Sequence, residues 1–309
     1  MLKKLLLLLF IMLVLITTLL HANELDEEID TLSTFGVNNG YDESGNHDFG
    51  FVVDWQLPSY QHIFINYGKS NSSDSLLNTI QYTFGLSTNR YEAFSLGAEY
   101  SYWGKYGALE TRTLKTPMTI NRENWSFELA PQLIIATIFL DPDLISASRQ
   151  QSDAIQLAIR AIKEISIEQY DVKGFGNQIR LSYFGLDNYS FSASYYISRF
   201  GPTPLDNTSA GLKGLIDRTI PITATSLAQS LEKERRQLSV DRFFNWGSLG
   251  FNWSRSEFAI VDGTASNIAF NMNFEITEAL FVGIDLGRQT YSEDDSISTY
   301  MRTSLFISW

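Results

Sequence analysis

The stretch "SNIAFNMNFEI" alternates without a break. Ile268, Phe270, Met272, Phe274 and Ile276 fall on one face of an extended chain, and Asn267, Ala269, Asn271, Asn273 and Glu275 on the other. A side-chain period of two belongs to the β-strand, whose successive side chains point to opposite faces. "DFGFVVDWQL" sets Phe49, Phe51, Val53, Trp55 and Leu57 against Asp48, Gly50, Val52, Asp54 and Gln56, and "ALFVGIDLG" repeats the pattern. From residue 30 onward such segments recur, each about ten residues long, the length that crosses a bilayer as a tilted strand. Strands are expected at 30–38, 48–57, 61–69, 76–87, 93–103, 109–120, 125–140, 174–186, 188–199, 236–246, 248–260, 264–276, 279–290 and 296–309.

Alternation fits two architectures. A soluble sandwich packs its apolar face inward, whereas a membrane barrel turns it toward lipid and keeps a polar lumen. Aromatic placement favours the barrel. Trp55, Trp125, Trp246 and Trp309 fall at one set of strand ends, and Tyr67, Tyr102 and Tyr195 nearer the other, as two interfacial belts require. Short connections such as "PSY", "NREN" and "TEA" alternate with longer polar ones such as "NNGYDESGNH" and "SNSSDS", the asymmetry of periplasmic turns and extracellular loops. The segments number fourteen, so both termini fall on the short-turn side. The fold expected is all-β, a transmembrane antiparallel barrel of about fourteen strands, with twelve or sixteen as alternatives.

The remaining composition agrees. "MLKKLLLLLFIMLVLITTLLHA" places Lys3 and Lys4 before an apolar run and a small residue at Ala22, so residues 1–22 read as an export signal and 23–309 as the barrel. No cysteine is present, which removes disulfides, thiol catalysis and cysteine metal ligands. The formal net charge is −12, against the lysine and arginine clusters that nucleic acid demands.

The signal, the missing cysteines, the alternating strands and the ending "YMRTSLFISW" together resemble the Gram-negative outer-membrane β-barrel class. In that class an aromatic last residue on an alternating last strand is read by the barrel-assembly machinery. The resemblance gives this role to Tyr300, Leu305, Ile307 and Trp309. In size and strand number the chain is similar to fourteen-stranded porins, and the resemblance implies outer-membrane lipid and small hydrophilic solutes as partners.

Two stretches break the period, at about 141–176 and 201–237. Ala154, Ala158, Ala161 and Ile165 mark a helical stripe in the first, although Ile155, Leu157 and Ile159 also alternate, and an extra hairpin there would make sixteen strands. In the second, Thr225 or Ser226 caps "LAQSLEKERR", which reads as a helix. Both are expected as partly helical insertions on the long-loop side, outside or inside the lumen.

Strand parity places Asp48, Asp54, His62, Glu99, Lys115, Glu128, Arg180, Asp241, Glu275, Asp285 and Arg302 in the lumen. Seven carboxylates against three permanent cations make a net negative wall, which concentrates cations. Arg242 falls on the lipid side of its strand, where only a place near the rim or a bulge relieves it. No HExxH, GxSxG or phosphate-cradling glycine loop occurs. His47 lies in a polar loop and His62 beside a short turn, neither in a catalytic arrangement. No enzyme activity, cofactor or metal is expected. The function expected is passive diffusion of small hydrophilic solutes with a cation preference; the alternative is a non-conducting surface barrel, an adhesin or structural protein with a plugged lumen.

Overall fold

Hydrocarbon offers no partner for a backbone N–H or C=O, so a sheet that crosses it must have no open edge. A computed structural model of the chain, describing residues 33–43, 45–57, 61–71, 78–88, 93–105, 109–139, 169–186, 188–202, 231–259, 263–292 and 297–309, meets this condition. Its segments are β1 (Thr34–Asp42), β2 (His47–Gln56), β3 (His62–Asn71), β4 (Thr79–Ser87), β5 (Phe94–Lys105), β6 (Leu109–Lys115), β7 (Met118–Arg122) and β8 (Trp125–Phe139). They continue as β9 (Gln169–Leu186), β10 (Tyr189–Phe200), β11 (Glu232–Phe244), β12 (Gly247–Phe258), β13 (Thr264–Thr277), β14 (Leu280–Tyr291) and β15 (Ile297–Ser308). All pairings are antiparallel, and β1 meets β15 from Thr34↔Ser308 to Asp42↔Tyr300, which closes the sheet.

β6 and β7 are halves of one barrel strand, so the barrel has fourteen. The interruption is Pro117, which has no N–H to give the ladder. Register survives it: Lys115 is opposite Glu99 and Met118 opposite Leu96 on β5. The surrounding bonds are kept by Gly97 N–H donating to the Pro117 carbonyl at 2.8 Å and Thr116 N–H donating to the Pro131 carbonyl at 3.0 Å.

The observed strands follow the alternation closely, with three shifts. β1 starts four residues later than expected, at Thr34. β9 starts at Gln169, so 169–176 is strand rather than insertion. β11 starts at Glu232, so "EKERR" is strand rather than the end of a helix. There Glu234, Arg235 and Arg236 pair with Ile197, Tyr196 and Tyr195, and a neighbouring strand outweighs local helix preference. The helical stripe at Ala154 to Ile165, the cap at Thr225 or Ser226 and the export signal at 1–22 lie outside the described residues.

One face of each strand carries large apolar side chains that remain exposed, among them Phe49, Trp55, Leu133, Phe175, Leu249, Phe270 and Leu305. In water such a continuous apolar surface would be a liability. Wrapped around a closed sheet it is the lipid-facing belt. Trp55, Trp125, Trp246 and Trp309 lie at the short-turn end, where two-residue turns at Glu123–Asn124, Asn245–Trp246 and Glu278–Ala279 also sit. Tyr67, Tyr102 and Tyr195 lie toward the other end on the same outer face. Arg242 does face outward, but beside the Trp246 turn, its guanidinium 5.4 Å from the Tyr189 ring and 4.8 Å from that of Phe244.

The belt has a direct test. Phe270→Arg, on the outer face, is expected to lower stability by about 2–4 kcal/mol, whereas Asn252→Arg, on the inner face, costs less than about 1 kcal/mol. Urea unfolding in lipid vesicles measures both, and equal penalties would contradict the assigned faces.

Candidate functional site: the lumen wall

Cross-strand register carries each inner residue to its neighbours, so the lumen can be followed around the barrel. One row runs from Ser190 to Asp241, Gly250, Asn271, Asp285, Arg302, Gly40 and Asp48 on successive strands. Its two glycines are positions where side chains from either side converge. Over Gly250 lean the Asp241 carboxylate and the Asn271 amide. Over Gly40 passes Arg302, and a β-carbon there would come within 2.7 Å of Arg302 Cγ. The guanidinium thereby reaches Asp48, two strands away, at 3.5 Å. Tyr300 makes a similar crossing, its ring lying over Gly287 while its hydroxyl donates to Asn267 Oδ1 at 3.3 Å. Side chains skip a strand in this way on the concave face of a curved sheet, where they converge.

Along this arc Arg302 is opposed by Asp48 and Asp285. One Asp285 oxygen is buried without a hydrogen-bond partner among the described residues. Asp241 accepts from Ser190 Oγ at 3.4 Å and has no cation partner among the described residues. Glu275 is exposed at the short-turn mouth. Asp54 and His62 face inward at the same end, with Nδ1 of His62 3.2 Å from the carboxylate.

The other arc is balanced. Lys115 on β6 stands between Glu99 at 3.5 Å and Glu128 at 3.8 Å, and Arg180 on β9 is directly opposite Glu128. All the lumen residues expected from parity thus face inward, but in two unlike groups. Glu99 and Glu128 are neutralised locally; Asp241, Asp285 and Glu275 leave a carboxylate excess on the β11–β2 side.

Parity missed Glu232 and Arg235. They face inward on β11 and pair at 3.2 Å, and Glu232 also accepts from Ser256 Oγ at 2.7 Å. A register shift between Glu232 and Glu234 breaks the alternation that would have revealed Glu232, and Arg235 stands one residue ahead of the strand start expected at 236. Hydroxyls and amides share the wall with these charges: Ser192 and Ser239 share a hydrogen bond at 2.6 Å, and Asn273 donates to Ser248 at 3.1 Å. His47, expected in a loop, begins β2, stacks on Tyr41 and bonds to Asn39 Oδ1.

Near the long-loop end the inner face of β5–β9 changes character. Leu109 and Ile138 are 0% exposed and Val172 1%, alongside buried Trp103, Ile134, Ala136 and Tyr170. On the outer side of the same strands stand Thr137, Asp171 and Lys173, the Thr137 hydroxyl donating to Asp171 at 2.7 Å. Polarity inverts there, which places this part of the sheet above the apolar belt.

A closed fourteen-stranded sheet with an apolar exterior, paired aromatic rims and an ionised interior leaves one architecture. This is a membrane-spanning β-barrel. No family model matches its sequence, and neither does any curated protein. Solved structures match it at low identity. The porin KdgM, in complex with disordered oligogalacturonate, is 8% identical over 89% of this chain and 99% of its own, with a TM-score of 0.41. A loop L8 deletion mutant of OmpT, an outer membrane protein of Vibrio cholerae, is 7% identical over 91% and 98%, at 0.46. A bacterial polysaccharide outer membrane secretin is 10% identical over 91% and 100%, at 0.48.

Lys115 tests the balanced arc. Its side chain is 21% exposed between carboxylates of similar exposure, so Lys115→Met leaves two like charges facing each other. A loss of about 1–2 kcal/mol is expected in denaturant unfolding, largely restored by adding Glu99→Gln.

Proposed function

We propose that this barrel is a passive channel for small hydrophilic solutes and that it prefers cations. The observation that carries the reading is the unequal lumen. Carboxylates at Asp241, Asp285 and Glu275 exceed the cations of their arc, while Glu99 and Glu128 are held by Lys115. A negative wall of this kind attracts cations and repels anions through electrostatics alone. Selectivity therefore rests chiefly on the β11–β2 side.

The passage narrows beside the buried apolar inner face at Leu109, Ile138 and Val172. Apolar side chains on an open, water-filled wall would be accessible, so this part of the lumen is packed. The same observation favours a second reading, a surface barrel whose lumen is plugged and whose loops bind a partner. Residues 1–22 serve as a removable export signal, and Tyr300, Leu305, Ile307 and Trp309 as the address read by the assembly machinery.

Planar-bilayer recording separates the two. A channel gives discrete conductance steps from folded protein, and silent membranes would rule it out. Under a salt gradient, Asp241→Asn with Asp285→Asn and Glu275→Gln is expected to roughly halve the cation-to-anion permeability ratio. Lys115→Gln moves it the opposite way. A reversal potential that ignores all these changes rejects the electrostatic mechanism while leaving the pore intact.

A further inference from the structure

The arc formed by Glu99, Lys115, Glu128 and Arg180 is balanced in count but not in contact. Lys115 lies 3.5 Å from Glu99 and 3.8 Å from Glu128, so both carboxylates turn to one ammonium. Arg180 is the direct cross-strand partner of Glu128, a placement in which opposite charges readily pair. It nevertheless forms no ion pair or hydrogen bond among the described residues, and its Nε is buried. A guanidinium taken partly out of water without an acceptor is unfavourable, and a solute that supplies the acceptor removes that penalty.

All four charged residues line one cavity of about 580 Å³ on the inner wall of β5–β9, within the range of about 300–1,000 Å³ that holds small ligands. Ser95, Thr119 and Ser126 add hydroxyls to its lining, and Gly97 and Pro117 leave it shallow on one side. At Gly85 the Phe64 ring crosses over from β3 and adds an apolar surface beside Glu99, the cross-strand partner of Gly85.

The charges of this cavity sum to zero, which decides the class of solute. An anion on Arg180 comes beside Glu128, and a cation on Glu128 comes beside Arg180 and Lys115. A singly charged solute therefore meets a repulsion with each attraction. A dipolar solute meets none. Its carboxylate takes the open donors of Arg180 in a paired, charge-assisted arrangement. Its ammonium takes Glu128, which Lys115 holds only loosely. An α-amino acid carries both groups on one carbon, and this matches side chains directly opposite on adjacent strands, their β-carbons about 5 Å apart.

We propose that Arg180 and Glu128 form a binding site for small zwitterionic solutes, α-amino acids with uncharged side chains. Arg180 holds the carboxylate and Glu128 the ammonium, while Lys115 stays with Glu99. The inference rests on the reading of the barrel as a passive channel, since a lumen site meets its solute only where solutes enter.

The test uses the full barrel refolded in neutral detergent, with L-alanine as probe and its two halves, propionate and ethylamine, as controls. Saturation-transfer NMR reads binding whether or not the barrel conducts. L-alanine is expected to give a saturable response, and propionate and ethylamine to bind at least about fivefold more weakly. Arg180→Gln and Glu128→Gln are each expected to weaken L-alanine binding at least about fivefold. Arg242→Gln, outside the lumen, leaves it unchanged. The site is overturned if L-alanine gives no saturable response, if either half binds as well, or if either lumen variant binds equally. Should Arg180→Gln not refold, Arg180→Lys keeps the charge without the paired donors and is expected to weaken binding roughly threefold; unaltered binding there also overturns the site. Planar-bilayer current from the same protein keeps the two readings apart. Current without L-alanine binding rejects the site and leaves the channel, whereas binding without current supports the site and rejects the channel.

Discussion

Closure of the sheet is the constraint on which everything else rests. Without the pairing of Thr34–Asp42 with the final strand, two rows of backbone groups would face hydrocarbon, each costing several kcal/mol. Once that seam forms, every strand has a neighbour on both sides, and the side chains divide into an outer and an inner set. Within the apolar belt the outer set is chosen by lipid and is monotonous. The inner set is free of that demand, which is why the chemical variety of the chain is concentrated there.

This division explains why the fold was so legible. A period of two is all that a strand between lipid and lumen requires, and "SNIAFNMNFEI" displays it undiluted, as do β2 and β14. Every ionised residue assigned inward by parity faces inward because its strand keeps an unbroken register. Legibility failed where another influence entered. At Glu232–Arg236 helix-forming residues and a register shift masked the strand, and the Glu232–Arg235 pair was lost with it. Pro117, by contrast, interrupts the hydrogen bonds without shifting the pairing, so the parity on both sides of it stayed readable.

Partnership was less visible than facing. Seven carboxylates in one lumen suggested a uniformly acidic wall, but alternation says nothing about which residue lies beside which. Only register shows that Lys115 serves two glutamates and that Arg302 stands between Asp48 and Asp285. The resulting asymmetry, one balanced arc and one acidic, turns a count of charges into a field with a direction across the lumen. The inverted polarity near Ile138 and Val172 adds a second asymmetry along the axis. Toward the long-loop end the wall is packed and apolar along β5–β9, unlike the ionised wall across from it.

Gly40 carries no charge, yet the Arg302–Asp48 contact exists only because nothing stands at its β-carbon. Any side chain there would lift the arginine off its path and free the aspartate it shields. The electrical character of this lumen is thus written partly in positions with no side chain at all. Two barrels with identical charged residues can therefore differ in the field of their lumen through a single added methyl group on a strand between them.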